Sequence, residues 1–256
     1  MIDVHSHILH GLDDGAETLE TSLAMLRMAA ETGTTDIVAT PHADLSFPYR
    51  PELNAERMAE LSAAGNGSPR IHLGCDFHLH YENIQDALAH PTRYTINHKC
   101  FLLVEFSDLV IFSSSGQILG SLLDAGMRPV ITHPERNALL QQRIPLLAEW
   151  VAQGCHLQVT AGSLLGGFGR RAKEIAEELM RRGLVDIVAS DAHDCEHRPP
   201  RLDLARAHIS RQWGKETADR LLVRNPGAVL VGDPLESSDL PPGGAARARK
   251  WYRFWR

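Results

Sequence analysis

The sequence is poor in the features that disulfide scaffolds, membrane spans and nucleic-acid binding domains require. Its 256 residues include four cysteines with no C-x-x-C pair, so we expect reduced thiols in a reducing cytoplasm. No apolar run approaches the roughly 18 residues of a membrane span, and the first strand, which lacks a preceding basic and apolar region, leads us to expect no signal peptide. The formal net charge of −6 gives no support for a nucleic-acid partner. The composition therefore predicts a cytoplasmic globular protein.

Histidine is the residue in unusual supply, with 14 copies. The first strand, Ile2–Val4, runs directly into His5 and His7. Side chains at i and i+2 of an extended backbone point to the same side. The two imidazoles can therefore converge on one point, which is a geometry typical of metal ligands.

Short apolar runs alternate along the chain with segments of helical spacing. This alternation favours parallel strands joined by crossover helices. We expect a distorted TIM-like (β/α)7 barrel in a single α/β domain, with an open doubly wound sheet as the alternative. The predicted strands are Ile2–Val4, Asp36–Ala39, Ile71–Cys75, Phe101–Phe106, Pro129–Ile131, Leu157–Thr160 and Asp186–Ala189. The predicted helices are Leu19–Glu31, Pro51–Ala64, Gly116–Ala125, Pro145–Gln153 and Gly169–Arg182.

The composition changes near the C-terminus. We assign residues 1–233 to the barrel and residues 234–256 to a Pro/Gly linker followed by a basic and aromatic tail. Residues 245–256 interleave arginine and lysine with tryptophan, tyrosine and phenylalanine. One interpretation is a disordered tail. The other is an element that contacts an anionic membrane surface or a partner protein.

The carboxyl ends of parallel strands are where functional residues collect in α/β proteins. Five histidines and four carboxylates follow or end the predicted strands, which is far more than a core needs. Four carboxylates placed together without metal or protons repel one another strongly. The candidate metal ligands are His5, His7, Asp14, His42, Asp76, Glu105, His133, Asp191 and His193.

A nitrogen and oxygen ligand set of this size indicates more than one divalent ion of the zinc, manganese or iron kind. Two or three ions about 3.5–4 Å apart are typical of phosphoester hydrolysis, in which a metal hydroxide attacks phosphorus in line. Arg136 and Arg198 lie on loops beyond ligand-bearing strands. Either guanidinium could hold phosphate oxygens in a bidentate fork, or could form a surface salt bridge instead.

Several short blocks resemble the polymerase-and-histidinol-phosphatase (PHP) superfamily, and within it the bacterial protein-tyrosine phosphatases of capsule and exopolysaccharide operons. The resemblance covers about residues 1 to 230 in order. The blocks are Met1–His7, Asp13–Gly15, Ala39–His42, His133–Asn137, Gln158–Ser163 and Ala189–His193.

The resemblance implies three divalent ions, with manganese as the usual ion and iron or zinc as alternatives. It implies that Asp76 bridges two of the ions and that Arg136 and Arg198 contact phosphate. This sequence departs from the family pattern at Asp76, because the family usually has glutamate there. The implied ligand sets are His5, His7, Asp76 and Asp191 for one ion, Asp76, Glu105 and His133 for the second, and Asp14, His42 and His193 for the third.

The implied substrate is the phosphotyrosine tail of a membrane-associated tyrosine autokinase that controls polysaccharide synthesis, hydrolysed at the inner face of the membrane. Alternatives are a small-molecule phosphatase of the histidinol-phosphate type and a non-catalytic phosphotyrosine-binding regulator. Cys75 does not belong to a C-x5-R phosphate loop, so we interpret it as a packing residue rather than a nucleophile.

Overall fold

The computed structural model describes residues 1–238, and the predicted tail at 245–256 lies outside the described residues. Every strand pairing in the described chain is parallel. The strands are β1 (Ile2–Ser6), β2 (Asp36–Ala39), β3 (His42–Ala43), β4 (Arg70–Leu73), β5 (Asp76–His78), β6 (Phe101–Glu105), β7 (Arg128–Ile131), β8 (His156–Thr160) and β9 (Ile187–Ala189).

The strands form a three-stranded sheet, β1-β2-β4, and a six-stranded sheet, β3-β5-β6-β7-β8-β9. Two of the predicted strands, Asp36–Ala39 and Ile71–Cys75, are each followed by a further short strand, β3 and β5, that was not predicted. Proline at position 41 has no backbone N–H to donate to a ladder, and it separates β2 from β3. A second break, between β4 and β5, lies beside the first. There the backbone N–H of Asp76 donates to the carbonyl of Pro41 at 3.1 Å. The chain thus passes from one sheet to the other without losing its parallel neighbour.

The first and last strands close the barrel. The backbone N–H of Asp191 donates to the carbonyl of His5 at 2.9 Å, and that of His7 donates to the carbonyl of Ala192 at 2.8 Å. The Asp3 carboxylate accepts from the backbone N–H of Ser190 at 3.0 Å across the same seam. The predicted distorted barrel is confirmed, and its two extreme strands bring the His-x-His and Asp-x-His motifs side by side.

Crossover helices surround the barrel. Helix α1 begins after Thr18, whose hydroxyl accepts from the backbone N–H of Thr21, and it buries Met25 and Leu26. Five of the helices, α3, α6, α8, α9 and α10, were not predicted, and the first residues of α6 were assigned to a strand end. The helices are α1 (Leu19–Glu31), α2 (Pro51–Ala64), α3 (Tyr81–Ala89), α4 (Ser115–Asp124), α5 (Ile144–Gln153), α6 (Ala161–Leu165), α7 (Gly169–Arg181), α8 (Asp203–Trp213), α9 (Lys215–Asp219) and α10 (Asn225–Val231).

Alternation along the strands decides which side chains reach the site. In β6, Leu102 and Val104 pack in the cluster that includes the helices α4 and α5. Phe101 and Leu103 pack instead in a cluster with residues of β7 and β9. Because successive side chains point to opposite faces, Glu105 lies on the same side of β6 as Phe101 and Leu103. It is found at the carboxyl ends of the strands, which we call the rim.

The segment after α10 packs against the barrel as far as it is described. Glu236 lies in the predicted linker, yet its backbone N–H donates to Asn225 Oδ1 at 2.8 Å and its carboxylate accepts from Arg224 Nε at 2.8 Å. These contacts hold the first residues of the predicted linker on the last helix. No helix within residues 1–238 is both long enough and apolar enough to cross a bilayer.

Candidate metal centre

The two histidines of β1 face each other at the floor of the rim. His5 and His7 are 0% and 1% exposed, and their Nε2 atoms lie 3.3 Å apart. Each Nδ1 is held by a polar side chain, Gln158 Oε1 at 2.9 Å for His5 and Asp13 Oδ2 at 2.7 Å for His7. Such partners fix the ring orientation of metal-ligating histidines. Both Nε2 atoms are thereby directed toward the carboxylates of Asp76 and Asp191.

All nine predicted ligands lie together at this rim. They fall into four overlapping groups whose nitrogen and oxygen atoms are within 4.8 Å of one another. Two of the groups contain members of the ligand set implied for the first ion. The group that contains the set implied for the third ion also contains His7. The groups are His7, Asp14, His42 and His193; His5, His7 and Asp76; His5, His133 and Asp191; and His42, Asp76 and Glu105.

The implied second set differs in detail from the geometry. His133 Nε2 lies 4.0 Å from Asp76 Oδ2 and 3.7 Å from Glu105 Oε1. His42 Nδ1 is closer to the same two carboxylates, at 3.4 Å and 3.3 Å. His42 is thus positioned between two groups, because its Nε2 also lies 3.3 Å from Asp14 Oδ1.

Asp76 is the carboxylate that the most groups share. It is fully buried, and its Oδ2 lies 3.5 Å from His5 Nε2 and 3.4 Å from His42 Nδ1. Gly74 allows the chain before it to lie close to its neighbours, since a Cβ there would be 3.1 Å from Val38 Cγ1.

Several buried nitrogen and oxygen atoms of the rim side chains have no hydrogen-bond partner among the described residues. They include Asp76 Oδ2, His42 Nδ1 and His193 Nε2. Unpaired buried polar atoms are costly, and a divalent cation satisfies carboxylate oxygens and imidazole nitrogens at once. The donor set therefore fits divalent metal ions.

The charges of the rim are unevenly distributed. Burial opposes charge on His7, but the Asp13 carboxylate outweighs it and raises the pKa of His7 to about 9. Burial also opposes charge on His42, and the nearby Asp14 and Glu105 carboxylates raise its pKa well above the usual range. Burial and the neighbouring His7 lower the pKa of His193 to about 4. A metal ion must displace the protons of His7 and His42, so its binding releases protons.

Asp14 is carried by a loop that folds back over β1. Asp13 organises this loop, because its Oδ1 accepts from the backbone N–H of Gly15 at 3.0 Å and its Oδ2 accepts from that of His42 at 3.0 Å. Asp14 itself is half-exposed and lies 3.3 Å from His193 Nε2. No sequence pattern indicated this role of Asp13 beyond its place beside Asp14.

Replacing Gly15 by alanine is expected to weaken the Asp14 group. The added Cβ would lie 2.2 Å from the carbonyl oxygen of His7, which is backbone and cannot rotate away. The loop must then move and draw Asp13 from His7. Loss of such a supporting contact costs about 10–100-fold in metal affinity or activity. Metal analysis and turnover check this, and Gly120→Ala, at a helical position with open space, should leave both unchanged.

Two strand-end residues have unusual backbone conformations. His133 has a φ of 32° and Asp191 a φ of 53°, in the left-handed region that non-glycine residues rarely adopt. Each such residue costs about 1–3 kcal/mol and is often found at functional sites. Here the conformation occurs at the point where β7 and β9 end and their side chains turn into the rim.

Both predicted arginines reach the rim. Arg136 Nη1 and Arg198 Nη2 donate to the same atom, Asp191 Oδ2, the latter at 2.6 Å. Asp194 orders the loop before Arg198 by accepting the backbone N–H of Arg198 at 3.1 Å. Phe168, which is not among the predicted site residues, lies beside both guanidiniums. Its position near the glycine-rich segment after β8 was the available signal.

Cys75 has the environment of a packing residue. It is fully buried in the hydrophobic cluster that contains Phe77 and Leu102. Burial raises the pKa of its thiol well above the usual value, and the neighbouring Asp76 acts in the same direction. A thiol that resists ionisation is a poor nucleophile.

Glu135, next to the arginine, is buried and accepts a hydrogen bond from the backbone N–H of Thr160 at 2.9 Å. Burial raises its pKa from 4.5 to about 7. The unfolded chain therefore loses this proton at lower pH than the folded one. The contribution of Glu135 to stability falls as pH rises from about 4.5 to about 7 and is constant above that, and the total is about 3 kcal/mol at 1.36 kcal/mol per unit.

Glu135→Gln is expected to remove this part of the pH dependence. The free energy of unfolding of the parent relative to the variant should decrease across this window, as measured by urea unfolding at several pH values. Glu56→Gln, on the exposed face of α2, is the matched control and should follow the parent. Parallel curves for the parent and Glu135→Gln would contradict the expectation.

Comparisons with known proteins identify the family of the chain. The family model described as capsular polysaccharide synthesis, CpsB/CapC, matches residues 1–231. The tyrosine-protein phosphatase YwqE of Bacillus subtilis (strain 168) is 33% identical over 264 residues, covering 100% of both chains. The tyrosine-protein phosphatase CpsB of Streptococcus agalactiae is 30% identical over 238 residues, covering 90% of this chain and 98% of that one.

Solved structures show the same fold. A structure from a study of YwqE from B. subtilis and CpsB from Streptococcus pneumoniae, described as unique metal-dependent tyrosine phosphatases, matches with a TM-score of 0.87 at 29% identity and covers 96% of this chain and 100% of that one. The phosphotriesterase homology protein of Escherichia coli matches with a TM-score of 0.59 at 12% identity, covering 88% and 96%. The latter likeness concerns the barrel alone.

Proposed function

The chain belongs to the CpsB/CapC family of capsular polysaccharide synthesis, and from this premise we propose that it is a metal-dependent protein-tyrosine phosphatase. The observation that carries the proposal is the arrangement around Asp76. Its fully buried Oδ2 has no hydrogen-bond partner among the described residues, while imidazole nitrogens of His5 and His42 lie within 3.5 Å. This is the environment of a carboxylate that shares divalent ions with histidines.

We assign the nine rim side chains to three divalent ions, with manganese as the proposed metal. His5, His7, Asp76 and Asp191 would hold the first ion. Asp76, Glu105 and His133 would hold the second, with His42 near enough to contribute. Asp14, His42 and His193 would hold the third. When bound, the ions would supply an activated water and neutralise the charge that develops on the phosphoryl group.

The two arginines would hold the phosphate. Their side chains are 24% and 22% exposed, and both converge on Asp191 Oδ2. Planar guanidiniums bind phosphate oxygens through paired N–H groups. Arg136 and Arg198 would thus orient the phosphoryl group toward the rim and would stabilise charge on its oxygens in the transition state.

The substrate would be a tyrosine phosphate. A tyrosine leaving group has a pKa near 10, so it departs with less help from a general acid than an alkyl alcohol. A protein nucleophile is not needed, and the buried Cys75 is not suited to be one. We propose the phosphotyrosine tail of a membrane-associated tyrosine kinase, on the support of the family's role in capsular polysaccharide synthesis.

Substrate comparison tests this function. The manganese-loaded protein should hydrolyse a phosphotyrosine peptide and p-nitrophenyl phosphate, and should lose both activities with a chelator or with His133→Ala. His90→Ala, on the exposed end of α3, is the matched control and should retain them. Turnover of histidinol phosphate without turnover of the phosphotyrosine peptide would overturn the proposal in favour of a small-molecule phosphatase.

A further inference from the structure

Phe168 lies at the junction of α6 and α7, outside the set of rim ligands. The Cζ atom of Arg136 lies over its ring, 4.1 Å from the centroid, and that of Arg198 lies 6.0 Å from the same centroid. A guanidinium over an aromatic face is attracted by the ring quadrupole at distances up to about 6 Å. The ring is therefore in direct contact with one of the two arginines and at the limit of contact with the other.

The Phe168 ring also packs against helix α6. A Cβ at Gly162 would lie 3.0 Å from Phe168 Cε2, so the ring packs closely on α6 because no side chain is present there. Gly166 ends α6 with a φ of 90°, a conformation that glycine adopts without steric cost. Gly166 thus allows the sharp turn between α6 and α7, and Gly162 leaves room for the Phe168 ring beside the site.

Two contacts therefore restrict the Arg136 side chain. Its Nη1 donates to Asp191 Oδ2, and its guanidinium carbon lies over the Phe168 ring. An arginine side chain has many rotamers, and binding costs less when the side chain is already restricted to the bound geometry. Contact with a ring also leaves the edge N–H groups of a guanidinium available for an anion.

From these contacts we propose that Phe168 is a positioning residue for phosphate recognition, which acts by holding the Arg136 guanidinium at the rim. The inference rests on the proposed function, because it takes phosphate as the anion that Arg136 binds. It predicts that the ring matters for any phosphate ligand, with or without an aryl group. A contact between Phe168 and the phenol ring of the substrate would instead affect aryl phosphates alone.

The test compares Phe168→Leu and Phe168→Tyr in the manganese-loaded full chain. We expect Phe168→Leu to raise KM for p-nitrophenyl phosphate and the inhibition constant of inorganic phosphate together, by about 10-fold. Phe168→Tyr keeps the ring and should restore both values. Metal content should be unchanged in both variants, and calorimetric titration with inorganic phosphate measures the same loss without turnover.

A double variant shows whether the ring acts through the arginine. In an Arg136→Ala background, which has no cation over the ring at position 136, Phe168→Leu should cause no further rise in the inhibition constant of phosphate. A persisting 10-fold rise there, an unchanged phosphate constant in Phe168→Leu, or equal losses in Phe168→Leu and Phe168→Tyr would each overturn the proposal. Phosphate binding remains measurable if phosphotyrosine is not the substrate, so failure of the proposed function is distinguished from failure of this inference.

Discussion

Asp76→Asn is expected to lower kcat/KM for a phosphotyrosine peptide by about 1,000-fold, which corresponds to about 4 kcal/mol of transition-state stabilisation. Asparagine has nearly the same size and removes only the charge and one oxygen. Burial opposes ionisation of Asp76, but the surrounding His5, His42 and His133 keep its pKa below the usual range, so the carboxylate is available to metal. Without it, two of the proposed ions lose their shared ligand.

Two further substitutions make the Asp76 experiment specific. Asp76→Glu introduces the residue type that the resemblance implies at this position, and it should keep the metal content and most of the activity despite its extra methylene. Asp86→Asn removes a carboxylate from the partly exposed cluster around Tyr94 and should leave activity unchanged. Metal content per chain and kcat/KM are the measurements. An Asp76→Asn protein with the parent's metal content would contradict the assignment of Asp76 as a shared ligand.

Arg136→Ala is expected to lower kcat/KM by about 100–1,000-fold, the usual loss for a group that stabilises charge on the reacting oxygens. Metal content should be unchanged, since Arg136 contributes no metal ligand. Arg136→Lys should recover only part of the loss, because an ammonium keeps the charge but lacks the planar fork.

Arg170→Ala is the matched control for the arginine experiment. Its side chain is 92% exposed at the start of α7 and pairs with Glu174 on the same helix, so its removal should not alter turnover. Steady-state kinetics with the phosphotyrosine peptide and inhibition by inorganic phosphate measure the effect. Equal losses in Arg136→Ala and Arg170→Ala would show that the kinetics report general charge rather than phosphate recognition.

Much of the fold could be predicted because buried parallel strands leave a strong local pattern. The apolar runs predicted the barrel, and the polar residues directly after them predicted which side chains meet at the rim. The short strands β3 and β5 were missed, because two or three residues are too few to show an apolar run. Helix α6 was missed because five residues, Ala161–Leu165, are too few to show a helical period.

Contacts between distant parts of the chain explain what the sequence could not supply. Gln158 supports His5 from 153 positions away, and nothing local to either residue encodes that pairing. The contact of Phe168 with Arg136 likewise depends on how α6 ends and where β7 turns. Family resemblance supplied the division of nine ligands among three ions, whereas the geometry places His42 closer than His133 to Asp76 and Glu105.

The central claim is that the nine rim side chains bind divalent ions required for tyrosine dephosphorylation. Titration of metal-free protein with manganese, with phosphotyrosine peptide hydrolysis recorded against the equivalents bound, tests it most directly. We expect no turnover in the metal-free protein and a rise that reaches its plateau as the third equivalent binds. Full turnover by metal-free protein in the presence of a chelator would contradict the account.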